Sequence, residues 1–467
     1  MRYISTRGEA PSLGFSEAML AGLARDGGLY TPLTPPLLLP AEIRALAGVR
    51  YAEAATRLIE PFVGDEIDHA ELEALAEDAY AGFRHAATAP LVQLDDNLFL
   101  LELFHGPTLA FKDFAMQWLG RLMNRALRQR QTRATLLGAT SGDTGAAAID
   151  AFGGQSQTDV FILYPHGRVS DVQRRQMTTV DKPNVHAIAV EGTFDDCQSI
   201  VKALFNDLAF RDAMKLSGAN SINWARILAQ IVYYFTSAVA LGAPDRRISF
   251  AVPTGNFGDV LAGYYAKRMG LSIDRLAIAT NENDILARAL ASGVYKPLGV
   301  KATQSPSMDI QVSSNFERLL FEAYDRDAGA VCALMGALAQ SGEFAIAPGP
   351  LAAIKRDFDA YRVGEETCTQ EIGRAYRASG VVIDPHTAVG VNAARRALAR
   401  DPATPVVALA TAHPAKFPDA VARAIGQRPA LPGRLRDVES REERFSVLPN
   451  DAAAVARFVR ARARAAA

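Results

Sequence analysis

The stretch RISFAVPTGNFGDVLAGYYAKRMG, residues 247–270, decides the fold class of this chain. It opens with an apolar run that predicts a buried strand and closes with apolar residues at helical spacing. A turn of small residues lies between the two. The same order of strand, turn and helix follows from LFLLELF, ATLLGA and VFILYP with the segments after them. This alternation predicts an α/β protein with parallel-rich sheets and helices on both faces.

The length of 467 residues predicts more than one domain, because single hydrophobic cores stop growing near ~250–300 residues. We expect a mainly helical N-terminal segment at residues 1–90, in which HAELEALAEDAYAGF forms a helix. A smaller α/β domain at residues 91–222 and a large one at residues 223–467 follow. The stretch INWARILAQIVYYFTSAVALG predicts a buried helix, and VVALAT, residues 406–411, predicts a late strand.

The composition is that of a globular protein, with 49% hydrophobic and 22% charged residues. A net charge of −1 gives no overall field for a polyanion, so we expect no nucleic-acid partner. One basic run stands near the C-terminus at helical spacing, and we interpret it as the solvated face of a last helix. Its members are Arg457, Arg460, Arg462 and Arg464.

The cysteines Cys197, Cys332 and Cys368 are far apart, and none has a second ligand at metal-binding spacing. We therefore expect no metal site and a reducing, cytoplasmic setting. The sequence has neither a signal-peptide pattern at its start nor an apolar run near the ~20 residues that span a bilayer. We expect no membrane partner.

The turn Gly255, Asn256, Phe257, Gly258 and Asp259 lies between a predicted strand and a predicted helix. Its glycines let the backbone approach an anion, and the N–H groups of the helix start favour a phosphate. It matches neither the dinucleotide fingerprint nor the P-loop. The turn therefore indicates a monophosphate, although an ordinary strand-to-helix turn is the alternative.

A second turn, GATSGDTG at residues 138–145, has a similar build. The hydroxyls of Thr140, Ser141 and Thr144, with the helix start that follows, could hold a carboxylate or a phosphate. Simple helix capping by Ser141 or Asp143 is the alternative.

Lys112 stands in the apolar and aromatic segment LAFKDFAMQW at a predicted helix entry. Burial favours the neutral amine, which is the form that attacks an aldehyde. Taken alone, Lys112 is better interpreted as a surface lysine or a partner of Asp113. Together with the two turns it completes the parts needed to bind pyridoxal phosphate in an α/β crevice. Thr411, at the end of VVALAT, could bond a ring nitrogen there.

Eight ordered blocks resemble threonine synthases, from Met1 to about Phe417. They are MRYISTRG, DGGLYTP, FHGPTLAFKDF, GATSGDTG, NSINWARI, VPTGNFGD, SMDIQVSSNFERLLFE and TAHPAKF. The resemblance implies the tryptophan synthase β-like fold (fold type II) of pyridoxal-phosphate enzymes, with the cofactor between two α/β domains. It further implies that Lys112 forms the Schiff base and that Gly255, Asn256, Phe257, Gly258 and Asp259 surround the cofactor phosphate.

The remaining cofactor contacts also follow from the resemblance. It places Thr411 at the pyridine nitrogen. Asp143 stands where many relatives of this fold carry an asparagine that binds the phenolic oxygen, so the partner of that oxygen is left open.

The activity implied is conversion of O-phospho-L-homoserine and water to L-threonine and phosphate, by γ-elimination and then β-hydration. A phosphorylated substrate needs cations, because a dianion cannot enter a dry crevice unpaired. Arg168, Arg226 and Lys416 are the candidates. We expect Thr140, Ser141 and Thr144 to face the substrate, with Ser141 and Thr144 holding its carboxylate, and Asn223 as a further polar candidate. We expect a monomer or a homodimer.

Three alternatives remain open at this point. One is another enzyme of the same fold, such as a threonine dehydratase or an amino-acid phospholyase. Another is a catalytically silent relative that binds a metabolite, which would have no use for Lys112. The third, a nucleotide-dependent oxidoreductase, lacks its fingerprint in this sequence.

Overall fold

The computed structural model describes residues 1–218 and 220–464, apart from the side chain of Arg434. The described strands are β1 (Tyr3–Ser5), β2 (Tyr30–Pro32), β3 (Leu91–Asp95), β4 (Leu98–Glu102), β5 (Ala134–Ala139), β6 (Thr158–Pro165), β7 (Val185–Glu191), β8 (Leu216–Ser217), β9 (Ile248–Pro253), β10 (Ile273–Thr280), β11 (Val294–Tyr295), β12 (Phe344–Ala345), β13 (Phe358–Arg362), β14 (Val406–Ala410) and β15 (Ser446–Pro449).

The described α-helices are α1 (Phe15–Ala21), α2 (Pro40–Arg44), α3 (Tyr51–Val63), α4 (His69–Tyr80), α5 (Lys112–Gln129), α6 (Asp143–Phe152), α7 (Asp171–Thr178), α8 (Phe194–Asn206), α9 (Leu208–Ala213), α10 (Trp224–Ala240), α11 (Gly258–Arg268), α12 (Ile285–Ser292), α13 (Phe316–Ala323), α14 (Ala328–Ser341), α15 (Pro348–Asp357), α16 (Glu365–Ser379), α17 (Pro385–Arg400), α18 (Pro418–Ile425) and α19 (Ala452–Arg460). None of the helices in the described part of the chain has the length and apolar character needed to cross a membrane.

Two sheets organise the molecule. The larger sheet has the strand order β13-β10-β9-β14-β4-β3, and its neighbours run parallel except for the antiparallel pair β3 and β4. The smaller sheet has the order β15-β7-β6-β5-β8 with parallel pairs throughout. Strands such as β6, β9 and β14 are buried along their whole length, because helices cover both faces. The predicted α/β class with parallel-rich sheets is confirmed.

The sheets divide the chain differently from the predicted boundaries. Strands β3 and β4 pair into the larger sheet, although residues 91–222 were expected to form the smaller domain. Strand β15 near the C-terminus pairs with β7 of the smaller sheet, although residues 223–467 were expected to form the larger one. Pairing between strands far apart in the chain has no local signal, so sequence order alone could not assign them.

The N-terminal segment is mainly helical, with α1 to α4, and also contains the antiparallel pair β1 and β2. The predicted helix in HAELEALAEDAYAGF is α4, and the predicted buried helix after Asn223 is α10. At the other end, the four arginines of the tail are exposed, on α19 and just after it, as predicted.

Parallel strands bring their carboxyl ends to one edge of a sheet, where ligands bind in open α/β folds. Strand β9 ends at Pro253, just before the GNFGD turn, and β14 ends at Ala410, just before Thr411. Strand β5 of the smaller sheet ends at Ala139, just before the SGDTG turn. The fold thus places all three predicted segments at strand ends.

Arg318 on α13 fastens the N-terminal segment to the body of the protein. Its guanidinium is fully buried and donates to the carbonyl oxygens of Tyr30, at 2.7 and 3.0 Å, and Ile222, at 2.7 Å. It also donates to Asn315 Oδ1 at 2.5 Å. Asn315 in turn donates from its side chain to the carbonyl of Asn256 at 3.0 Å. One cation therefore joins β2, the start of α10 and the GNFGD turn.

We expect Arg318→Met to lower the free energy of unfolding by about 3 kcal/mol or more, because several buried oxygens lose their donor. Guanidinium unfolding followed by tryptophan fluorescence measures this. The matched control is Arg428→Met, whose side chain is 68% exposed beside Asp419; its change should stay under about 0.5 kcal/mol. Equal stability of the two variants would contradict the role given to Arg318.

Candidate active site

Lys112 is the first residue of α5 and reaches into a cavity between the two sheets. Its side chain is 11% exposed, with Nζ 3.4 Å from Ser307 Oγ and 3.7 Å from Asp143 Oδ2. Burial lowers the pKa of Lys112, an effect that exceeds the opposing attraction of Asp143. The alternative of a surface lysine is wrong. Pairing with Asp113 is wrong as well, since that carboxylate is bonded to Thr108.

The loop before Lys112 is held against the end of β14. Phe111 donates its N–H to the carbonyl of Thr411 at 2.8 Å, and His413 donates to the carbonyl of Leu109 at 3.0 Å. Thr411 is buried and lines the Lys112 cavity. This pairing explains why Lys112 and Thr411, far apart in the chain, share one cavity.

Asp143, the first residue of α6, has different partners on its two oxygens. Oδ1 lies 2.8 Å from Lys416 Nζ and accepts from Gln173 Nε2 at 2.8 Å. Oδ2 accepts from Ser307 Oγ at 3.3 Å and faces Lys112. Burial alone would raise the pKa of Asp143, but the ammonium groups of Lys416 and Lys112 hold it well below its usual range. Asp143 is therefore a carboxylate at neutral pH.

The GNFGD turn presents backbone to the cavity opposite Lys112. Phe257 has a left-handed backbone, with φ of 65°, and directly precedes α11, so the first N–H groups of that helix face the turn. A Cβ on Gly255 would come within 3.0 Å of the Ser307 carbonyl oxygen. Free N–H groups at a helix start and close backbone approach are typical of a phosphate site.

The side chains of two residues in this turn contact other parts of the protein. Phe257 is 1% exposed and packs its ring against Phe316 and Phe358, at 5.4 and 5.8 Å between centroids. Asp259 accepts from the hydroxyls of Tyr233 and Tyr234 at 2.6 and 2.9 Å. Burial raises the pKa of Asp259 to about 6, against the lowering effect of those hydrogen bonds. Phe257 can therefore serve an anion only through its backbone.

Residues 313–315 form hydrogen bonds to the GNFGD turn. Ser313 Oγ donates to the Gly255 carbonyl at 2.6 Å, and Ser314 Oγ lies 3.5 Å from Asn256 Oδ1. Asn315 holds the Asn256 carbonyl through both its backbone and its side chain. The turn is thus fixed before any ligand arrives.

The structure brings some of the predicted substrate residues to the Lys112 cavity. Thr144 and Arg226 line it, together with the GNFGD turn. Burial lowers the pKa of Arg226 to about 10, so the guanidinium still carries its charge at neutral pH. A cation and a hydroxyl group therefore line this cavity together.

Ser141, Arg168 and Lys416 line a neighbouring cavity of about 520 Å³ instead. Arg168 is exposed there, on the loop after β6. Asp143 and Lys416 are bonded across the boundary between the two cavities, since Asp143 lines the first and Lys416 the second. The predicted substrate residues are therefore divided between two adjoining spaces.

Two predicted residues have structural partners instead. The hydroxyl of Thr140 accepts from the N–H groups of Gly142 and Gly145, both at 2.9 Å, and so shapes its own turn. Asn223 caps α10 by accepting from the Ala225 N–H at 3.1 Å and donates to the Met19 carbonyl at 2.8 Å. Neither Thr140 nor Asn223 lines the Lys112 cavity. The polar atoms of both side chains are hydrogen-bonded to backbone groups instead.

Sequence reasoning missed Ser307 and His386, which both line the cavity. The Ser307 N–H donates to His386 Nε2 at 3.2 Å, and His386 Nδ1 lies 2.6 Å from Asp384 Oδ2. Because Ser307 offers His386 its backbone rather than its hydroxyl, these residues do not form a hydrolytic triad. The Asp384-Pro385 helix start was a visible signal for His386. Ser307 had no such local signal.

Comparison with known proteins gives matches along most of the chain. Residues 84–345 match the family model described as pyridoxal-phosphate dependent enzyme. Residues 2–80 match the model for the threonine synthase N terminus, and residues 387–459 match the model for the threonine synthase C-terminal region.

Individual relatives agree with the family models. A threonine synthase of Pseudomonas aeruginosa is 52% identical over 98% of both chains. A crystal structure of threonine synthase from Brucella melitensis with bound pyridoxal phosphate is 59% identical, with a TM-score of 0.97 over 99% of this chain and 100% of that one. The yeast threonine synthase structure is 40% identical, with a TM-score of 0.93 over 98% of both chains. The chain therefore belongs to the threonine synthase family of pyridoxal-phosphate-dependent enzymes.

Proposed function

We propose that this protein converts O-phospho-L-homoserine and water to L-threonine and phosphate. One observation carries the proposal: a buried lysine whose pKa is lowered shares a cavity with a helix-start phosphate turn. A pure metabolite binder would have no use for that amine. Full-length similarity to threonine synthases supports this reaction over those of other enzymes of the fold.

The residues present fit pyridoxal phosphate. Lys112 would anchor the aldehyde, and the backbone of Gly255 to Asp259 would hold the phosphate, where a Cβ on Gly255 would make a tight contact of 3.0 Å with the Ser307 carbonyl oxygen. Thr411 would face the pyridine nitrogen and Asp143 the phenolic side of the ring. When bound, the cofactor supplies an electron sink for carbanions next to the amino group of a substrate.

Lys112 has the chemistry of a proton carrier in this reaction. Its lowered pKa gives it a larger neutral fraction at neutral pH than an exposed lysine, and a neutral amine can take the Cα proton and later return it. Ser307 Oγ, 3.4 Å from Nζ, can hold the amine in place between proton transfers. Overall, Cβ loses one proton and Cγ gains one, and phosphate leaves from Cγ. Water supplies the hydroxyl at Cβ and the proton that the released phosphate carries away, which balances the reaction.

The substrate must be held at both ends. We assign its carboxylate to Thr144 and to the N–H groups at the start of α6, with Ser141 at the edge of the neighbouring cavity. We assign its phosphate to Arg226, with Arg168 as the second candidate. The Nζ of Lys416 is already bonded to Asp143 and Thr108, so we leave Lys416 out of the substrate phosphate site.

We extend the proposal to a cytoplasmic monomer or homodimer. Cys197, Cys332 and Cys368 are free thiols in the structure, and two of them are buried, which suits a reducing compartment.

The first test is the reaction itself. The purified protein should absorb at the wavelength of a lysine-bound pyridoxal phosphate and release L-threonine and phosphate in equal amounts from phosphohomoserine. We expect Lys112→Ala to lose that absorbance and to lower kcat by at least about 10³-fold, because anchor and base disappear together. Spectrophotometry and product analysis by mass spectrometry measure both.

The matched control is Lys296→Ala, since the Lys296 side chain is 56% exposed and paired with Glu343; it should leave both readouts unchanged. Release of a keto acid and ammonia in place of threonine would contradict the proposed reaction. A wild-type protein that binds no pyridoxal phosphate would contradict the assignment of Lys112.

The second test separates the cations. We expect Arg226→Ala to raise KM for phosphohomoserine about 10- to 100-fold with cofactor absorbance intact, because a buried charge-assisted contact is lost. We expect a smaller rise for Arg168→Ala, since Arg168 is exposed to water. Steady-state kinetics on both variants measure this. An unchanged KM removes the residue from the substrate site, and weaker cofactor binding in Arg226→Ala would assign it to the cofactor phosphate instead.

A further inference from the structure

Lys416 is a buried residue that forms an ion pair with Asp143. It follows β14 in a short helical turn, and its side chain is 0% exposed. Its Nζ lies 2.8 Å from Asp143 Oδ1 and donates to the Thr108 carbonyl at 2.8 Å. Lys416 lines the neighbouring cavity, but both of these Nζ contacts are to oxygen atoms of the protein. Its position points to a task at Asp143.

The two carboxylate oxygens of Asp143 face different lysines, and the two distances are unequal. Lys416 has the short contact, at 2.8 Å, and Lys112 the long one, at 3.7 Å. Coulomb energy falls with distance, and the short contact adds a charge-assisted hydrogen bond. The carboxylate is therefore neutralised more by Lys416 than by Lys112.

The geometry of this pair is built into the turn. Gln173 donates to Asp143 Oδ1 at 2.8 Å, beside Lys416. Gly142 has φ of 140°, and a Cβ at that position would come within 2.4 Å of Gln173 Cδ. Glycine at position 142 thus lets Gln173 reach the carboxylate and fix its orientation.

Other ionisable groups line the same cavity from three helices. They are Arg226 on α10, Asp259 on α11 and His386 on α17. Asp113 follows Lys112 on α5 and is fully buried outside that lining. The carboxyl group of Asp113 is bonded to Thr108, and that of Asp259 to two tyrosine hydroxyls. Among these side chains of the described structure, Asp143 is the carboxylate in direct contact with Lys112.

We propose that Lys416 is the fixed counter-charge of Asp143, and that this pair lets the nitrogen of Lys112 lose its proton at neutral pH. Lys416 is then a positioning residue that acts on Lys112 through Asp143. Without Lys416, the bare carboxylate would hold a proton on the Lys112 nitrogen. Without Asp143, the unpaired ammonium of Lys416 would drive that proton off. The proposal rests on the proposed function, since it takes Lys112 as the cofactor anchor.

The test is a pH titration of the holoenzyme absorbance, which reports the proton on the Lys112 nitrogen when the cofactor is attached. The variants are Lys416→Met, Asp143→Asn and the double variant. We expect the midpoint of Lys416→Met to rise and that of Asp143→Asn to fall, each by about one to two pH units. The double variant should return to within about half a unit of the wild type, because both charges are gone.

The matched control is Lys267→Met. Lys267 lies on α11 outside the cavity, and its Nζ is 2.7 Å from a carboxylate oxygen of Asp357. Its midpoint should equal that of the wild type. Circular dichroism and thermal unfolding check the fold of each variant. If Lys416→Met does not fold, the comparison of Asp143→Asn with the double variant still decides, since only the double variant should recover the wild-type midpoint.

The outcomes separate this inference from the proposed function. Wild-type protein without cofactor absorbance would overturn both. The role of Lys416 would be overturned, and the proposed function would stand, if the midpoints of Lys416→Met and Asp143→Asn did not move in opposite directions. A double variant whose midpoint shifts by the sum of two changes of the same sign would have the same meaning. A raised KM for phosphohomoserine in Lys416→Met with an unchanged midpoint would also overturn that role, and would make Lys416 a substrate ligand.

Discussion

A charge taken out of water must meet an opposite charge or be given up, and the Lys112 site depends on this constraint. Burial lowers the pKa of Lys112, which favours its neutral form more than in an exposed lysine. Asp143 keeps its charge, because Lys416 lies 2.8 Å away. Asp259 lies between these cases, with a pKa raised to about 6 by burial and two tyrosine hydroxyls as its donors. Three ionisable groups in one cavity therefore have their pKa values shifted differently, because their neighbours differ.

The fold supplies those neighbours from distant parts of the chain. Asp143 follows β5 of the smaller sheet, Thr411 follows β14 of the larger sheet, and Lys112 begins the helix that runs between them. Ser307 reaches the same point from a loop between α12 and α13. The contact between Asp143 and Lys416 crosses the boundary of the two cavities.

The sequence was informative where chemistry depends on backbone placement. Turns rich in small residues after predicted strands located the GNFGD turn, the SGDTG turn and Thr411 at strand ends, because parallel strands end at a common edge. The roles of side chains were harder to predict. Phe257 was expected beside the cofactor, yet its ring lies in the core and only its backbone faces the cavity. Asn223 and Thr140 were expected at the substrate, yet nearby backbone groups occupy them. Ser307 and His386 were missed, since contacts across 195 and 79 positions leave no periodic signal.

The difference between backbone and side-chain roles has a physical basis that extends beyond these residues. A helix start offers the same N–H groups whatever side chains it carries, so an anion site built on it can be found from the turn alone. A charge pair depends on where two side chains point, and a lysine at the end of a strand can equally face a substrate or a carboxylate. Lys416 illustrates the point, because its position after β14 suited both interpretations and its distances to Asp143 and Thr108 favour one of them. Electrostatic partners of a buried site are therefore the part of function that most needs coordinates.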